Sequence, residues 1–237
     1  MLIRQLFDAQ TFTFTYLVAD GINSEAIIID PVDTKIEQYM RLLKELNLKL
    51  KYVFDTHVHA DHITAAGKLR ELTNCITLLG EATGATCVSK TVCDGEKIHV
   101  GAIEFTVLET PGHTQDSFCL YTDGMVFTGD TLFVRGTGRT DFQAGNPVDQ
   151  YNSIVNKIFT LPDATIVYPG HDYKGRTQST IGHERESNAR LGNNQTRENF
   201  IELMKNLDLP YPAKIDIALP ANKACGTVSS DCQNSGN

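Results

Sequence analysis

The six-residue segment HVHADH, residues 57–62, constrains this chain more than any other feature. It follows KYVFDT, an apolar run that predicts a short buried strand, and it precedes HITAAGKLRELT, whose composition is typical of a helix. Four ligand-type side chains therefore fall at one strand-to-helix turn, where they can point at a common centre. Imidazole nitrogen and carboxylate oxygen are donors that zinc and iron accept. A lone H-x-H is often only a polar loop, whereas H-x-H-x-D-H favours a metal site.

Three more candidate ligands stand beside turn residues directly after predicted strands. His113 and His171 each follow a Pro-Gly pair, and Asp130 follows Gly129. Glycine lets the backbone approach a shared centre closely, and loops at strand ends often carry functional side chains. Taken singly, each of these pairs is more often part of an ordinary turn than a metal ligand. Together with the hexapeptide they give seven candidate ligands: His57, His59, Asp61, His62, His113, Asp130 and His171.

The periodicity of the remaining chain predicts strands and helices in both halves. FTFTYLVAD and EAIIID read as strands, and a helix with Asp33 as its N-cap is expected to end near Asn47. EKIHV, IEFTVLET, SFCLYT and MVFTGD read as further strands, with His99 in the first of them as a structural or solvated residue. Asn146 and Pro147 open another helix, and ATIVYPGH supplies a last strand. Beyond Arg190 we expect a helical and then an irregular segment.

Length, charge and hydropathy narrow the class of protein. We expect one catalytic domain over residues 1–226 and a polar, disordered tail over residues 227–237. The net charge of -8 argues against a nucleic-acid partner, and no apolar run approaches the roughly 18 residues of a membrane span. The start, MLIRQLFDAQ, lacks the pattern of a signal or transit peptide. The expected location is the cytoplasm, or the mitochondrial matrix if the chain is a processed form.

The six cysteines show no C-x-x-C pair, so disulfides are not expected and a reducing compartment fits best. Cys75, Cys87, Cys93 and Cys119 lie in or beside apolar segments and are expected to be small core residues. Cys225 precedes Gly226 in a polar segment, where the alternative is an accessible, reactive thiol.

The order HVHADH, PGH, GDTLF and PGHDY, spanning roughly Thr11 to His171, resembles the metallo-β-lactamase superfamily. The resemblance implies an α+β fold, a four-layer αββα sandwich with a metal at one edge of its two sheets. Since such a fold carries hydrolases, oxidoreductases and nucleases, it does not settle the reaction.

A second resemblance reaches nearly to the C-terminus. RGTGRTDFQ, KIFTLPD, YPGHDYKG, STIGHERESNARL and LDLPYPAKIDIALPANKACG are similar to the persulfide dioxygenases, also called sulfur dioxygenases. This likeness implies oxidation of glutathione persulfide by dioxygen to sulfite and glutathione, with one iron(II) per chain. It assigns the iron to His57, His113 and Asp130.

By the same likeness, His59, Asp61, His62 and His171 would orient the iron ligands, and Arg139, Tyr173, Lys174 and Arg176 would contact glutathione. Glutathione carries two carboxylates, so an acidic protein needs such cations gathered locally, and a guanidinium can grip a carboxylate bidentately. The alternative for each of these cations is an exposed charge on a loop, and in RGTGRTD Asp141 can pair with an arginine and hold the loop.

Two other functions stay open at this point. All seven residues of a two-metal pattern are present, which fits a hydroxyacylglutathione hydrolase of the glyoxalase II type, although the chain after His171 resembles the dioxygenase ending. A non-catalytic sensor of metal or sulfane sulfur is the other. The oligomeric state, a homodimer or a higher homo-oligomer, is not determined by the sequence.

Overall fold

The computed structural model describes residues 1–193 and 195–226. Its strands are β1 (Leu2–Asp8), β2 (Thr13–Ala19), β3 (Glu25–Ile29), β4 (Lys49–Phe54), β5 (Ile76–Gly80), β6 (Lys90–Val92), β7 (Lys97–Val100), β8 (Ile103–Glu109), β9 (Phe118–Thr122), β10 (Met125–Gly129), β11 (Ile166–Pro169) and β12 (Ser179–Thr180). Its α-helices are α1 (Ile36–Glu45), α2 (Ala66–Thr73), α3 (Pro147–Asn156), α4 (Ile181–Ser187), α5 (Arg197–Lys205) and α6 (Ile215–Lys223). The predicted tail, residues 227–237, lies outside the described residues.

The strands form two mixed sheets. One has the order β1-β2-β3-β4-β5-β6 and the other the order β12-β11-β10-β9-β8-β7. In the first sheet β3, β4, β5 and β6 pair in parallel, whereas β1, β2 and β3 pair antiparallel. In the second sheet only β10 and β11 are parallel neighbours.

Three apolar clusters separate four layers of structure. The central cluster joins both sheets, with Tyr16 and Phe54 from the first against Phe105 and Phe127 from the second. A second cluster packs α1 and α2 on the outer face of the first sheet, and a third packs α3, α4 and α5 on the outer face of the second. Each sheet thus buries both faces, and the predicted αββα sandwich is confirmed.

The sheets bring the candidate ligand loops to one edge. β4 ends just before His57, and β10 and β11 pair in parallel with Gly129 opposite Pro169, directly before Asp130 and Gly170. Because β8 and β10 are both antiparallel to β9, they run in the same direction, so the loop that carries His113 emerges beside the loop that carries Asp130. Parallel strand ends explain why loops far apart in sequence meet.

Several local expectations differ from the structure. Asp33 does not cap α1; it begins a short 3₁₀ turn, Asp33–Lys35, and its side chain accepts only from the Thr34 amide. β1, β5 and β6 were not predicted, because β1 does not alternate between buried and exposed residues, β5 buries four consecutive residues, and β6 is only three residues long. The segment expected to be irregular contains α6, which includes Pro220. Among the described residues, no helix is both long and apolar enough to cross a bilayer.

The expectation that disulfides are absent is wrong. Cys87 and Cys225 form a disulfide with a Cα–Cα distance of 5.8 Å and a sequence separation of 138. Cys225 is therefore buried and bonded, not an accessible thiol. Its carbonyl accepts from the Gly67 amide at the start of α2, and this packing brings the two cysteines together. Of the other predicted core cysteines, Cys75 and Cys119 are buried but Cys93 is exposed.

This disulfide predicts a measurable loss of stability when it is removed. Replacing Cys87 and Cys225 together by Ala should lower the free energy of unfolding by about 2–4 kcal/mol, because a cross-link restricts the unfolded chain. Urea unfolding in the absence of reductant measures the difference. Excess dithiothreitol is the control, since it should bring the unreplaced protein down to the stability of the variant. Coincident curves without reductant would show that the bond does not form.

Candidate metal centre

Five histidines, four of them buried and His113 half-buried, face one centre, and their outer nitrogens are hydrogen-bonded in ways that fix the tautomer. His113 Nδ1 lies 2.7 Å from the Arg139 carbonyl, and His171 Nδ1 lies 3.0 Å from the Phe12 carbonyl. A carbonyl can only accept, so Nδ1 carries the proton in both rings. The Nε2 atoms of His113 and His171 are therefore the nitrogens that face the centre, where a metal would bind them.

His57 is oriented by a short relay that starts on β3. Thr56 Oγ1 donates to Asp30 Oδ2 at 3.0 Å, and a hydroxyl has only one proton to give. Its lone pair is then the acceptor for His57 Nδ1–H, also at 3.0 Å. This arrangement leaves His57 Nε2 as the free nitrogen. Burial lowers the pKa of His57 well below its usual value, so the ring is neutral and ready to bind a metal.

His59 and His62 present their remaining nitrogens in the same way. His59 Nε2 donates to Asp30 Oδ1 at 3.1 Å, and His62 Nδ1 donates to Asp61 Oδ2 at 2.9 Å. His59 Nδ1, His62 Nε2 and Asp130 Oδ1 are buried without a hydrogen-bond partner among the described residues. Buried polar atoms of a native protein are normally satisfied, so these atoms indicate a bound cation.

His57, His113 and Asp130 form a set of three donors that joins both halves of the chain. One ligand atom from each lies within 4.8 Å of the others, and Asp130 Oδ2 is 3.5 Å from His113 Nε2. Two imidazoles and one carboxylate supply three donors, which fits a metal that also binds external ligands. His59, Asp61 and His62 form a second such group beside it.

Buried carboxylates balance the charge around the cluster. Burial alone would lower the pKa of His59, but Asp30, together with Asp61 and Asp55, raises it to about 10. A metal that binds His59 Nδ1 would therefore displace a proton from this ring. Burial raises the pKa of Asp55 to about 7. For Asp61, burial favours the neutral acid, yet His62 and His171 hold its pKa well below the usual range. Imidazoles and carboxylates in the cluster therefore stabilise each other's charged forms.

Two glycines make room for this arrangement. Gly129 has a φ of +46°, and a Cβ there would lie 2.7 Å from the Cβ of Thr56, which orients His57. A Cβ on Gly138 would lie 2.8 Å from His113 Nδ1. A larger residue at either position would displace a ligand loop.

A cleft of about 550 Å³ opens above the cluster of candidate metal ligands. His57, His113, Asp130 and His171 form its floor. Its walls come from the segment Phe133–Arg139, from residues 172–174 and 176, from Arg190, and from the apolar side chains Leu209, Pro210 and Pro212. The cleft therefore combines an apolar wall with several cations.

The predicted substrate residue Arg139 lines the cleft, but its guanidinium is already engaged. Nε and Nη2 donate to the two Asp141 carboxylate oxygens at 2.6 and 2.7 Å, and Nη1 donates to the Pro210 carbonyl at 2.7 Å. The guanidinium also lies 4.6 Å from the Phe142 ring. A bidentate grip on a substrate carboxylate would require breaking the Asp141 pair, so the loop-holding alternative describes the structure better.

The other three predicted substrate residues lie at the mouth of the cleft. Within the described part of the chain, Lys174 and Arg176 have no carboxylate within 4.0 Å, and Arg176 donates only to the Val134 carbonyl through its side chain. The Tyr173 ring is 63% exposed and stacks on His171 at 6.0 Å. These positive charges are free to meet an anion.

Sequence reasoning missed several residues of the site. Asp30 holds both Thr56 and His59, yet in sequence it only ends a strand before Pro31. Arg190 and the apolar wall at residues 209–212 enter the cleft from beyond the recognised motifs. The LDLPYP segment was noted for its likeness alone, and no local pattern placed it beside the metal cluster.

Comparisons with known proteins agree with this geometry. A profile of the Metallo-beta-lactamase superfamily matches residues 9–86 and 88–171. Persulfide dioxygenase ETHE1, mitochondrial, from Mus musculus is 44% identical over 229 residues, covering 95% of this chain and 89% of that protein. The Homo sapiens protein of the same name is also 44% identical with the same coverage.

A solved structure gives the same result in three dimensions. The crystal structure of ETHE1 from Myxococcus xanthus superposes with a TM-score of 0.93 at 51% identity, covering 96% of this chain and all of that one. The sequence and structural similarities extend over nearly the whole chain, including α5 and α6 beyond the superfamily profile. The chain therefore belongs to the metallo-β-lactamase superfamily and, within it, to the persulfide dioxygenase family.

Proposed function

We propose that the protein uses one iron(II) per chain to oxidise glutathione persulfide with dioxygen to sulfite and glutathione. The observation that carries the proposal is the His57, His113 and Asp130 set, which lies on the floor of a cleft with unpaired cations at its mouth. The similarity to proteins named persulfide dioxygenase supports the reaction type. With water, the reaction balances as glutathione persulfide and dioxygen to glutathione, sulfite and two protons.

His57, His113 and Asp130 would hold the iron in this proposal. Iron(II) supplies redox chemistry with dioxygen that zinc lacks. The carbonyls of Arg139 and Phe12 keep Nδ1 of His113 and His171 protonated, so the rings cannot turn away from the centre.

The residues at the mouth would bind the glutathione part of the substrate. Lys174 and Arg176 offer charge to its carboxylates, because no carboxylate of the described chain neutralises either side chain. The apolar residues Leu209, Pro210 and Pro212 narrow the cleft above the metal cluster and limit access of bulk water. The persulfide sulfur would then reach the floor.

Metal content is the first test. Protein expressed in iron-supplemented medium should hold about one iron per chain, and Asp130→Ala should lose it, because removal of one of three ligands leaves an incomplete set. His62→Ala should lower metal affinity by roughly 10–100-fold without emptying the site. Inductively coupled plasma mass spectrometry measures both.

A matched histidine provides the control for these variants. His99 lies on β7, 59% exposed and paired with Glu104, so His99→Ala should keep the full iron content. Two tightly bound zinc ions per active chain would contradict the single-iron proposal.

Metal exchange separates oxidation from hydrolysis. The iron form should consume dioxygen only when glutathione persulfide is supplied and should release sulfite, whereas the zinc form should do neither, because zinc does not change its electron count. An oxygen electrode and a sulfite assay measure this.

The free nitrogens of His59 and His62 are what a two-metal hydrolase would also use, so S-lactoylglutathione is the matching control substrate. Little thioester cleavage is expected from the iron form. Rapid cleavage without persulfide-dependent oxygen uptake would favour the glyoxalase II type of activity. A protein that binds metal and turns over neither substrate would be the sensor.

The role of Arg139 is tested through its partner. If Arg139 holds the Pro210 wall through its pair with Asp141, Arg139→Ala and Asp141→Ala should raise the KM for glutathione persulfide by similar factors, and the double variant should add little. Lys174→Ala and Arg176→Ala should each raise KM by about tenfold or less, the size of a lost charge-assisted hydrogen bond.

Steady-state oxygen uptake and iron analysis on the same samples measure both effects, and iron content should not change. A glutathione persulfide analogue that lacks one carboxylate is the control, since it should be insensitive to at least one of the two mouth variants. If Asp141→Ala left KM unchanged while Arg139→Ala raised it, Arg139 would contact the substrate directly, as the sequence analysis expected.

A further inference from the structure

The segment that carries His57, His59 and His62 has no regular secondary structure to hold it. Residues 55–63 lie between the end of β4 and the start of α2 without a strand or helix assignment. The buried peptide groups of this segment must nevertheless find hydrogen-bond partners. The direction of the His57 and His59 side chains therefore depends on groups that lie elsewhere in the chain.

The peptide groups of Val58, between the two histidines, are held at both ends by side chains. The Val58 amide donates to Asp116 Oδ2 at 2.9 Å, and the Val58 carbonyl accepts from Gln143 Nε2 at 2.6 Å. Val58 is 4% exposed and Asp116 is 8% exposed, so water does not compete freely for these groups. The Val58 amide requires an acceptor, which Asp116 supplies, and the Val58 carbonyl requires a donor, which Gln143 supplies.

The two side chains come from loops that also carry other candidate ligands. Asp116 follows His113 by three residues, and Gln143 lies between Asp130 and α3. Gln143 and Ala144 both adopt left-handed conformations, with φ of +49° and +55°. Such conformations are costly for residues other than glycine and persist where the surroundings enforce them.

The Gln143 turn is also fixed to the His113 loop through the backbone. The Asn146 amide donates to the Gly112 carbonyl at 2.8 Å, and a Cβ on Gly145 would lie 2.6 Å from the His113 carbonyl. The loops of His57, His113 and Asp130 are therefore linked through the Val58 peptide. Neither Asp116 nor Gln143 lines the cleft.

We propose that Asp116 and Gln143 are positioning residues that clamp the Val58 peptide and so preset the direction of His57 and His59 toward the metal. The inference rests on the proposed metal site, but it concerns metal binding and not the identity of the substrate. Weakening the clamp would let the His57 segment rotate, which lowers metal affinity and turnover while the substrate contacts at the mouth of the cleft stay unchanged.

Two nearly isosteric replacements distinguish this role from simple space filling. Asp116→Asn keeps an oxygen that can accept from the Val58 amide, so it should bind Co(II) within about threefold of the unreplaced protein, since a neutral hydrogen bond replaces a charged one. Gln143→Glu replaces the only donor by a carboxylate that faces a carbonyl, so it should weaken Co(II) binding by at least roughly 10–100-fold. Space filling alone predicts that the two variants behave alike.

The readout is the affinity and visible absorption spectrum of Co(II) bound to metal-free protein, with the thermal midpoint recorded on the same samples. Gln143→Met has a side chain of similar length without the donor. It replaces Gln143→Glu in this measurement if Gln143→Glu does not fold. Gln5→Met is its control, because Gln5 donates to the Thr177 carbonyl at the same 2.6 Å and to the Tyr16 hydroxyl, and it has no hydrogen bond to residues 57–62 within the described chain. The control should keep Co(II) affinity.

Kinetics of the iron form give a second readout. The Gln143 variants should lower kcat and leave the KM for glutathione persulfide within about twofold, because the clamp does not touch the substrate. Unchanged Co(II) affinity and spectrum in Gln143→Glu or in folded Gln143→Met would overturn the proposal, as would equal losses in Asp116→Asn and Gln143→Glu. If the enzyme proved to have another activity, the Co(II) comparison would still decide the clamp.

Discussion

The direction of the imidazole N–H groups is the constraint on which this site depends. Each of the five histidines donates a hydrogen bond from its outer N–H group to a fixed acceptor. The acceptors include the carbonyls of Phe12 and Arg139 and the carboxylate of Asp30. Because this hydrogen bond fixes the orientation of the ring, the other nitrogen faces the centre. The metal-binding character of the cluster is thus decided by hydrogen bonds outside it.

Those acceptors lie on separate loops, so the fold must hold the loops in register. The mixed sheets do this by ending β4, β8, β10 and β11 at one edge, and the apolar cluster between the sheets keeps the two edges together. Packed interiors do not deform smoothly, which makes the edge a rigid frame. Asp116 and Gln143 extend the same principle to the Val58 peptide, which lies beyond the end of β4.

The cleft solves a problem of charge. A chain with a net charge of -8 repels an anionic substrate at long range, so it must concentrate cations where binding occurs. Lys174 and Arg176 lie at the mouth, whereas Arg139 is neutralised by Asp141 and supports the apolar wall. Positive residues that line the same cleft therefore differ, because Lys174 and Arg176 are unpaired within the described chain whereas Arg139 is bound to Asp141.

The sequence by itself determined the chemistry of the donors and the order of most strands and helices. HVHADH is local, and apolar periodicity reports which face of an element is buried, so both can be read without a fold. Only the tertiary structure decided the disulfide of Cys87 with Cys225, the commitment of Arg139 to Asp141 and Pro210, and the nitrogen that each histidine turns inward. The disulfide and the Pro210 contact join residues about 70–140 positions apart, and the Asp141 pair takes up the guanidinium that the sequence assigned to substrate. Local sequence patterns cannot predict these contacts, because the contacts form only when the two sheets stack and the last helices pack against them.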